Sequence, residues 1–134
     1  MPCLKDELHA TFKFYGFKKH ATFGEEGVFP IDWVKGRKEV KFFVKSIATE
    51  IEDGEGVIQG VFLEPHPDSK EFVDRYYQNE NPLHLTISFK EGTPPVRTGK
   101  IPERFKKEVK DDNNEYLLIT GFVDVFTKQG RFTY

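Results

Sequence analysis

Apolar and polar residues alternate with a period of two through most of the chain's hydrophobic stretches, the spacing of half-buried strands. Glu7 to Phe14 sets His9, Thr11 and Lys13 against Leu8, Ala10, Phe12 and Phe14, which predicts a strand with one polar and one apolar face. Glu39 to Ile47 alternates through Val40, Phe42 and Val44, and Val57 to Leu63 through Val57, Gln59, Val61 and Leu63. The turn signal Asp53-Gly-Glu-Gly56 lies between them, so the two are expected to be antiparallel partners with a loose connection. Pro65-His-Pro67 then breaks the sheet. Asp68 or Ser69 is placed to cap a helix running to about Gln78, in which Phe72, Val73, Tyr76 and Tyr77 recur at helical spacing. Leu83 to Phe89 reads as another strand, with His84, Thr86 and Ser88 on one face. A short helix is expected over Ile101 to Val109, and a strand over Glu115 to Thr127 with Gly121 as a candidate bulge. Strands outnumber helices, and the predicted class is α+β with mainly antiparallel sheet in a compact arrangement.

Composition narrows the picture. The 134 residues suit one domain, 1–134, and no Gly/Ser linker, charge block or low-complexity tract marks a boundary. His9-Ala-Thr-Phe12 recurs as His20-Ala-Thr-Phe23, but the likeness ends there and does not make a structural repeat. Hydrophobic residues at 37 % and charged residues at 31 % are the proportions of a folding chain. Fourteen phenylalanines point to a core built largely of aromatic rings. Twenty basic against 22 acidic side chains leave a net charge of −2, too little to hold long nucleic acid by a global field. Any nucleotide or RNA must be recognised locally. Cys3 is the only cysteine, which rules out an internal disulfide and a cysteine zinc cluster. Met1 to Leu8 has no apolar core of the kind a signal peptide needs, and no later run is long enough to cross a bilayer, so a cytoplasmic protein is expected.

Candidate chemistry sits on two triplets. His9-Ala-Thr11 and His84-Leu-Thr86 each put an imidazole and a hydroxyl on one face of an alternating segment. Brought together, two imidazoles and two hydroxyls suit in-line displacement at phosphorus. One neutral imidazole takes a proton from water, and one imidazolium protonates the leaving oxygen. Histidine fits because its ordinary pKa of about 6.5 lets both forms coexist near neutrality. The hydroxyls of Thr11 and Thr86 would donate to non-bridging phosphate oxygens and stabilise the transition state. This chemistry calls for no metal and no cofactor, and the sequence offers no obvious carboxylate set to hold a metal. A triplet of this kind arises by chance at roughly one histidine in eight, so context decides. His20 also starts one, but Lys18-Lys19 precedes it and Gly24-Glu-Glu-Gly27 follows, which reads as a loop. The plain alternative for His9 and His84 is a solvated face of a half-exposed sheet.

Two longer motifs add to the triplets. His9-Ala-Thr-Phe-Lys13-Phe14-Tyr-Gly16 followed by Ala21-Thr-Phe-Gly-Glu-Glu26, and His84-Leu-Thr86 followed eleven residues on by Pro95-Val96-Arg-Thr98-Gly99, resemble the 2H phosphoesterase superfamily. Within it they look most like the 2′,3′-cyclic-nucleotide 3′-phosphodiesterase catalytic domains. The resemblance covers approximately Leu8 to Gly99 and implies a two-lobed domain. It implies His9 and His84 as catalytic residues, with His84 as base and His9 as acid, and Thr11 and Thr86 as phosphate ligands. It also implies Phe14 as a base-stacking ring and Pro95 and Val96 as a loop lining the pocket. Phe14 falls on the apolar side of the alternation, where a core position is the competing reading, since stacking needs an exposed ring. Pro82 stands where the family has an arginine, so one phosphate or base contact is expected to be missing. The relatives carry a strand and helices ahead of the first motif that this chain lacks, so a reduced domain is expected.

The implied reaction is hydrolysis of 2′,3′-cyclic phosphates, on nucleotides or RNA ends, to 2′-phosphates. A nucleotide 2′,3′-cyclic phosphate or an RNA end is the expected partner, with no membrane and a monomeric chain. Competing readings are a nucleotide- or RNA-end-binding module without turnover, a 2′-5′ RNA ligase or cyclic-dinucleotide hydrolase, and a partner-binding β domain with accidental triplets. Lys13 is expected on a solvated face. Trp33 is expected to be a buried anchor rather than a base-stacking ring.

Overall fold

A computed structural model describes residues 3–4, 8–12, 31–124, 126–127 and 130–131 of the chain. Lys13, Phe14 and His20 lie outside the described residues.

The longest alternating stretches form the centre of the fold. Strand β2 (Glu39–Glu52) turns at Asp53-Gly54 into β3 (Glu55–Pro65). Both turn residues have positive φ, 54° and 76°, the geometry of a tight two-residue hairpin whose twist matches the strands. The connection is therefore tight, where the sequence suggested a loose one. Around this hairpin the sheet runs β1 (Cys3–Leu4), β4 (His84–Phe89), β3, β2, β5 (Lys106–Glu108), with β6 (Leu117–Phe122) paired to the first half of β2. Every one of these pairings is antiparallel. Helix α1 (Ile31–Lys35), helix α2 (Lys70–Tyr76) and a ribbon of β7 (Phe126–Thr127) with β8 (Gly130–Arg131) complete the described elements, together with three 3₁₀ turns. The class is α+β on an antiparallel sheet, as the alternation predicts.

A bulge divides the core. Val44 pairs with Leu63, but Ser46 pairs with Phe62, so Lys45 is the extra residue. Directly paired residues share a face, and the added residue transfers the inward positions of β2 to the other side of the sheet. Before it, Val40 and Phe42 pack with Phe72, Val73 and Leu83 under the helices. After it, Ala48 packs with Ile58, Phe62 and Ile101 on the opposite face. The buried residues of β3 are accordingly Val57, Ile58, Gly60 and Phe62, so of the predicted odd-numbered stripe Val57 is buried while Gln59, Val61 and Leu63 are only partly so. Strand β4 has its own irregularity: Thr86 pairs with Gly60 and Ser88 with Gln59. Ile87 is the extra residue there. His84 and Thr86 therefore share a face with Phe62 and Gly60, while Ser88 turns to the other, contrary to the sequence expectation.

Other expectations change for local reasons. Ser69 stands at the N-cap position of α2, yet its buried hydroxyl caps nothing and accepts from the Lys41 N–H at 2.8 Å. Lys41 lies one residue beyond the last β2–β3 pair, and Ser69 satisfies the donor left over there. The helix stops at Tyr76 because Tyr77 is extended and the Gln78 N–H goes to the Phe12 carbonyl at 2.8 Å. Ile101 to Val109 contains a 3₁₀ turn at Glu103–Phe105 and then β5, which pairs with Ser46–Ala48. Edge pairing with the second half of β2 overrides helix formation after Pro102. Gly121 pairs in register with Val40 and makes no bulge. Trp33, expected to be a buried anchor, is partly buried and packs on Phe72 with ring centroids 4.3 Å apart.

Candidate functional site

The first triplet is not on a ladder. Leu8 to Phe12 has no regular secondary structure, and the strand beside β4 is Cys3–Leu4. This corrects the predicted strand over those residues. The backbone carbonyls of the segment are satisfied from elsewhere: Thr11 O accepts from Asn79 Nδ2 at 3.0 Å and Phe12 O from the Gln78 N–H. Two-residue alternation survives from His9 to Phe12 without a partner strand, whereas Leu8, predicted on the apolar face, is exposed. Ala10 and Phe12 pack against the helix-side core, while His9 and Thr11 face a cleft. Phe12 is the pin, with Phe42, Phe72 and Tyr77 rings 5.2–6.3 Å from its own.

The second triplet does lie on β4. The His84 Nδ1 is 2.6 Å from the Pro82 carbonyl oxygen. A carbonyl only accepts, so Nδ1 carries the proton and Nε2 keeps its lone pair in the neutral ring. Gly99 lets the chain close on that ring, since a Cβ there would stand 2.9 Å from His84 Cε1 and 2.8 Å from Asn81 Cβ. Thr86 Oγ1 lies 3.1 Å from the Pro95 carbonyl oxygen and 2.7 Å from Thr98 Oγ1.

The two triplets meet across one cavity. His9, Thr11, His84, Thr86, Pro95 and Val96 line an open cleft of about 720 Å³, together with Gln78 to Asn81. All the site residues expected from the sequence share it except Phe14, which is outside the described residues. No group of three or more His, Cys, Asp or Glu placed to hold a metal occurs among the described residues.

Sequence reasoning passed over Gln78-Asn-Glu-Asn81, which forms one wall. The Asn81 N–H bonds Asn79 Oδ1 at 3.0 Å, an Asx turn whose signal was the Asn-rich run before Pro82. The Tyr77 hydroxyl donates to the Asn81 carbonyl at 2.5 Å. The wall thus ties the first triplet to the second. Burial pushes the Tyr77 phenol up to about 12. The folded protein therefore keeps a proton that the unfolded chain releases, and stability falls as pH rises from about 10 towards about 12. Tyr77→Phe is expected to cost about 0.5–1.5 kcal/mol near neutrality and to flatten that alkaline decline. Urea unfolding of both proteins at neutral and alkaline pH measures this, and an equal decline in the two would refute it.

The loop carrying Pro95 and Val96 is a 3₁₀ turn, Pro95–Lys100. Arg97 fastens it to β2 through Glu52 Oε2 at 3.1 Å and through an ion pair with the buried Glu50. The hydrogen bond to Glu52, with the charge of Glu50, raises the Arg97 pKa and holds the guanidinium charged.

Comparison with family models, with curated proteins and with solved structures found no match to this chain. No helix among the described residues is long and apolar enough to cross a membrane.

Proposed function

We propose that the cleft hydrolyses 2′,3′-cyclic phosphates, on nucleotides or RNA ends, to 2′-phosphates by a two-histidine mechanism of the 2H phosphoesterase kind. One observation carries the reading: His9, Thr11, His84 and Thr86, from two distant parts of the chain, line the same cavity.

Each group has a role that its surroundings support. His84, its Nδ1 proton committed to the Pro82 carbonyl, offers Nε2 as the base that takes a proton from water. The water oxygen bonds to phosphorus as the bond from phosphorus to O3′ breaks, and His9 gives its proton to O3′. The phosphate stays on O2′. Thr11 and Thr86 donate to the non-bridging oxygens, where charge builds in the transition state. Pro95 and Val96 supply an apolar wall for the nucleoside, with Val96 68 % exposed. Pro82 contributes a carbonyl that orients His84, at the place where the family has an arginine. On this reading the protein acts as a cytoplasmic monomer on soluble nucleotides or RNA ends.

The test is incubation with 2′,3′-cyclic AMP in excess EDTA, with the product identified by chromatography. Accumulation of 2′-AMP is expected. A 3′-AMP product would reject the assignment of the leaving oxygen, and binding without turnover would make the cleft a recognition module.

A further inference from the structure

Thr98 lies directly behind the cleft and is fully buried, at 0 % exposure. Its hydroxyl stands 3.0 Å from the Pro95 carbonyl oxygen and 2.7 Å from Thr86 Oγ1. Thr86 Oγ1 in turn is 3.1 Å from the same carbonyl. These oxygens form a triangle whose protons come from the two hydroxyls, and of those two residues Thr86 is the one that lines the cleft. The triangle is held from both sides. A Cβ at Gly60 would collide with Thr98 Cγ2 and lie 2.8 Å from the Leu85 carbonyl oxygen, so Thr98 sits in space that only glycine leaves open. On the far side Arg97 ties the turn to Glu50 and Glu52.

We propose that Thr98 is a positioning residue for the anion site: by donating its proton to the Pro95 carbonyl it takes the place of Thr86 there and frees the Thr86 proton for a bound phosphate oxygen. With no hydroxyl at position 98, the Thr86 proton keeps the Pro95 carbonyl as its partner. This inference rests on the proposed phosphate site.

Two substitutions separate the hydroxyl from the shape. Thr98→Val keeps the branched side chain over Gly60 and loses the proton, whereas Thr98→Ser keeps the proton and loses the methyl. Thr98→Val is expected to lower kcat for 2′,3′-cyclic AMP roughly tenfold, the size of one hydrogen bond to a charged group, with Thr98→Ser keeping most of the rate. Melting temperatures should run the other way, with Thr98→Ser the less stable. In a Thr86→Val background, Thr98→Val should add no further loss. Activity that follows melting temperature, or additive losses in the double variant, would overturn the proposal. If Thr98→Val does not fold, Thr98→Cys supplies a weak donor of similar size. Titration with inorganic phosphate, read by NMR, separates this inference from the reading beneath it. A wild type that binds phosphate in a Thr98-dependent way without turnover sinks the hydrolase and keeps the positioning role. A wild type that turns over normally beside an equally active Thr98→Val sinks the positioning role alone, and absence of both binding and turnover sinks both.

Discussion

His84→Ala is expected to slow hydrolysis of 2′,3′-cyclic AMP by about 10²–10⁴-fold, the usual contribution of a positioned acid or base, with a much smaller change in KM. The ring is held by the Pro82 carbonyl and closed in by Gly99 and Phe62, whose ring centroid is 6.2 Å away. On the proposed mechanism its removal takes away the group that accepts the water proton, and the backbone that shaped its place remains. The proposed contacts of Thr11 and Thr86 with the ground-state phosphate would remain, so the loss should fall on kcat. His9→Ala should match it in size, because the reaction needs one imidazole without and one with its second proton. The same need makes the wild-type rate bell-shaped in pH, and each variant should lose one limb. Steady-state kinetics across pH checks this. Rates within a few-fold of wild type in both variants would remove the two histidines from the chemistry.

Phe72→Ala should cost about 3–5 kcal/mol of stability, a large share of what a domain of this size has. Phe72 is 6 % exposed and meets Trp33, Tyr76 and Phe12 with centroids 4.3, 4.9 and 5.8 Å away. Packing on Phe12 is what sets His9 and Thr11 towards the cleft, since their segment has no ladder of its own. The cavity should therefore weaken phosphate binding even below the unfolding transition. Urea denaturation gives the first effect and phosphate titration the second. A cost under about 1 kcal/mol would fit a surface position rather than a core one.

Each half-site was legible because its signal is local. A histidine and a threonine two residues apart point the same way in any extended segment, and this held for His9 and Thr11 without a neighbouring strand. The helix at Phe72 and Val73 and the hairpin around Asp53-Gly54 were legible for the same reason. Less legible was anything decided by a partner. Ile101 to Val109 carries no strong period, and the open edge of β2 made part of it a strand. Ser88 follows Thr86 at the right spacing for one face, yet an extra residue in the β4 register turns it away.

By itself, then, the sequence determined the α+β class, the extended segments and the residues that carry the proposed chemistry, because these follow from periods and turn geometry within a few residues. Tertiary structure alone decided that the core changes faces at Lys45, that Gln78 to Asn81 join the two triplets, and that Thr98 lies behind Thr86. Bulges, edge pairing and buried hydroxyl contacts depend on which distant backbone groups still lack a partner, and no local pattern encodes that.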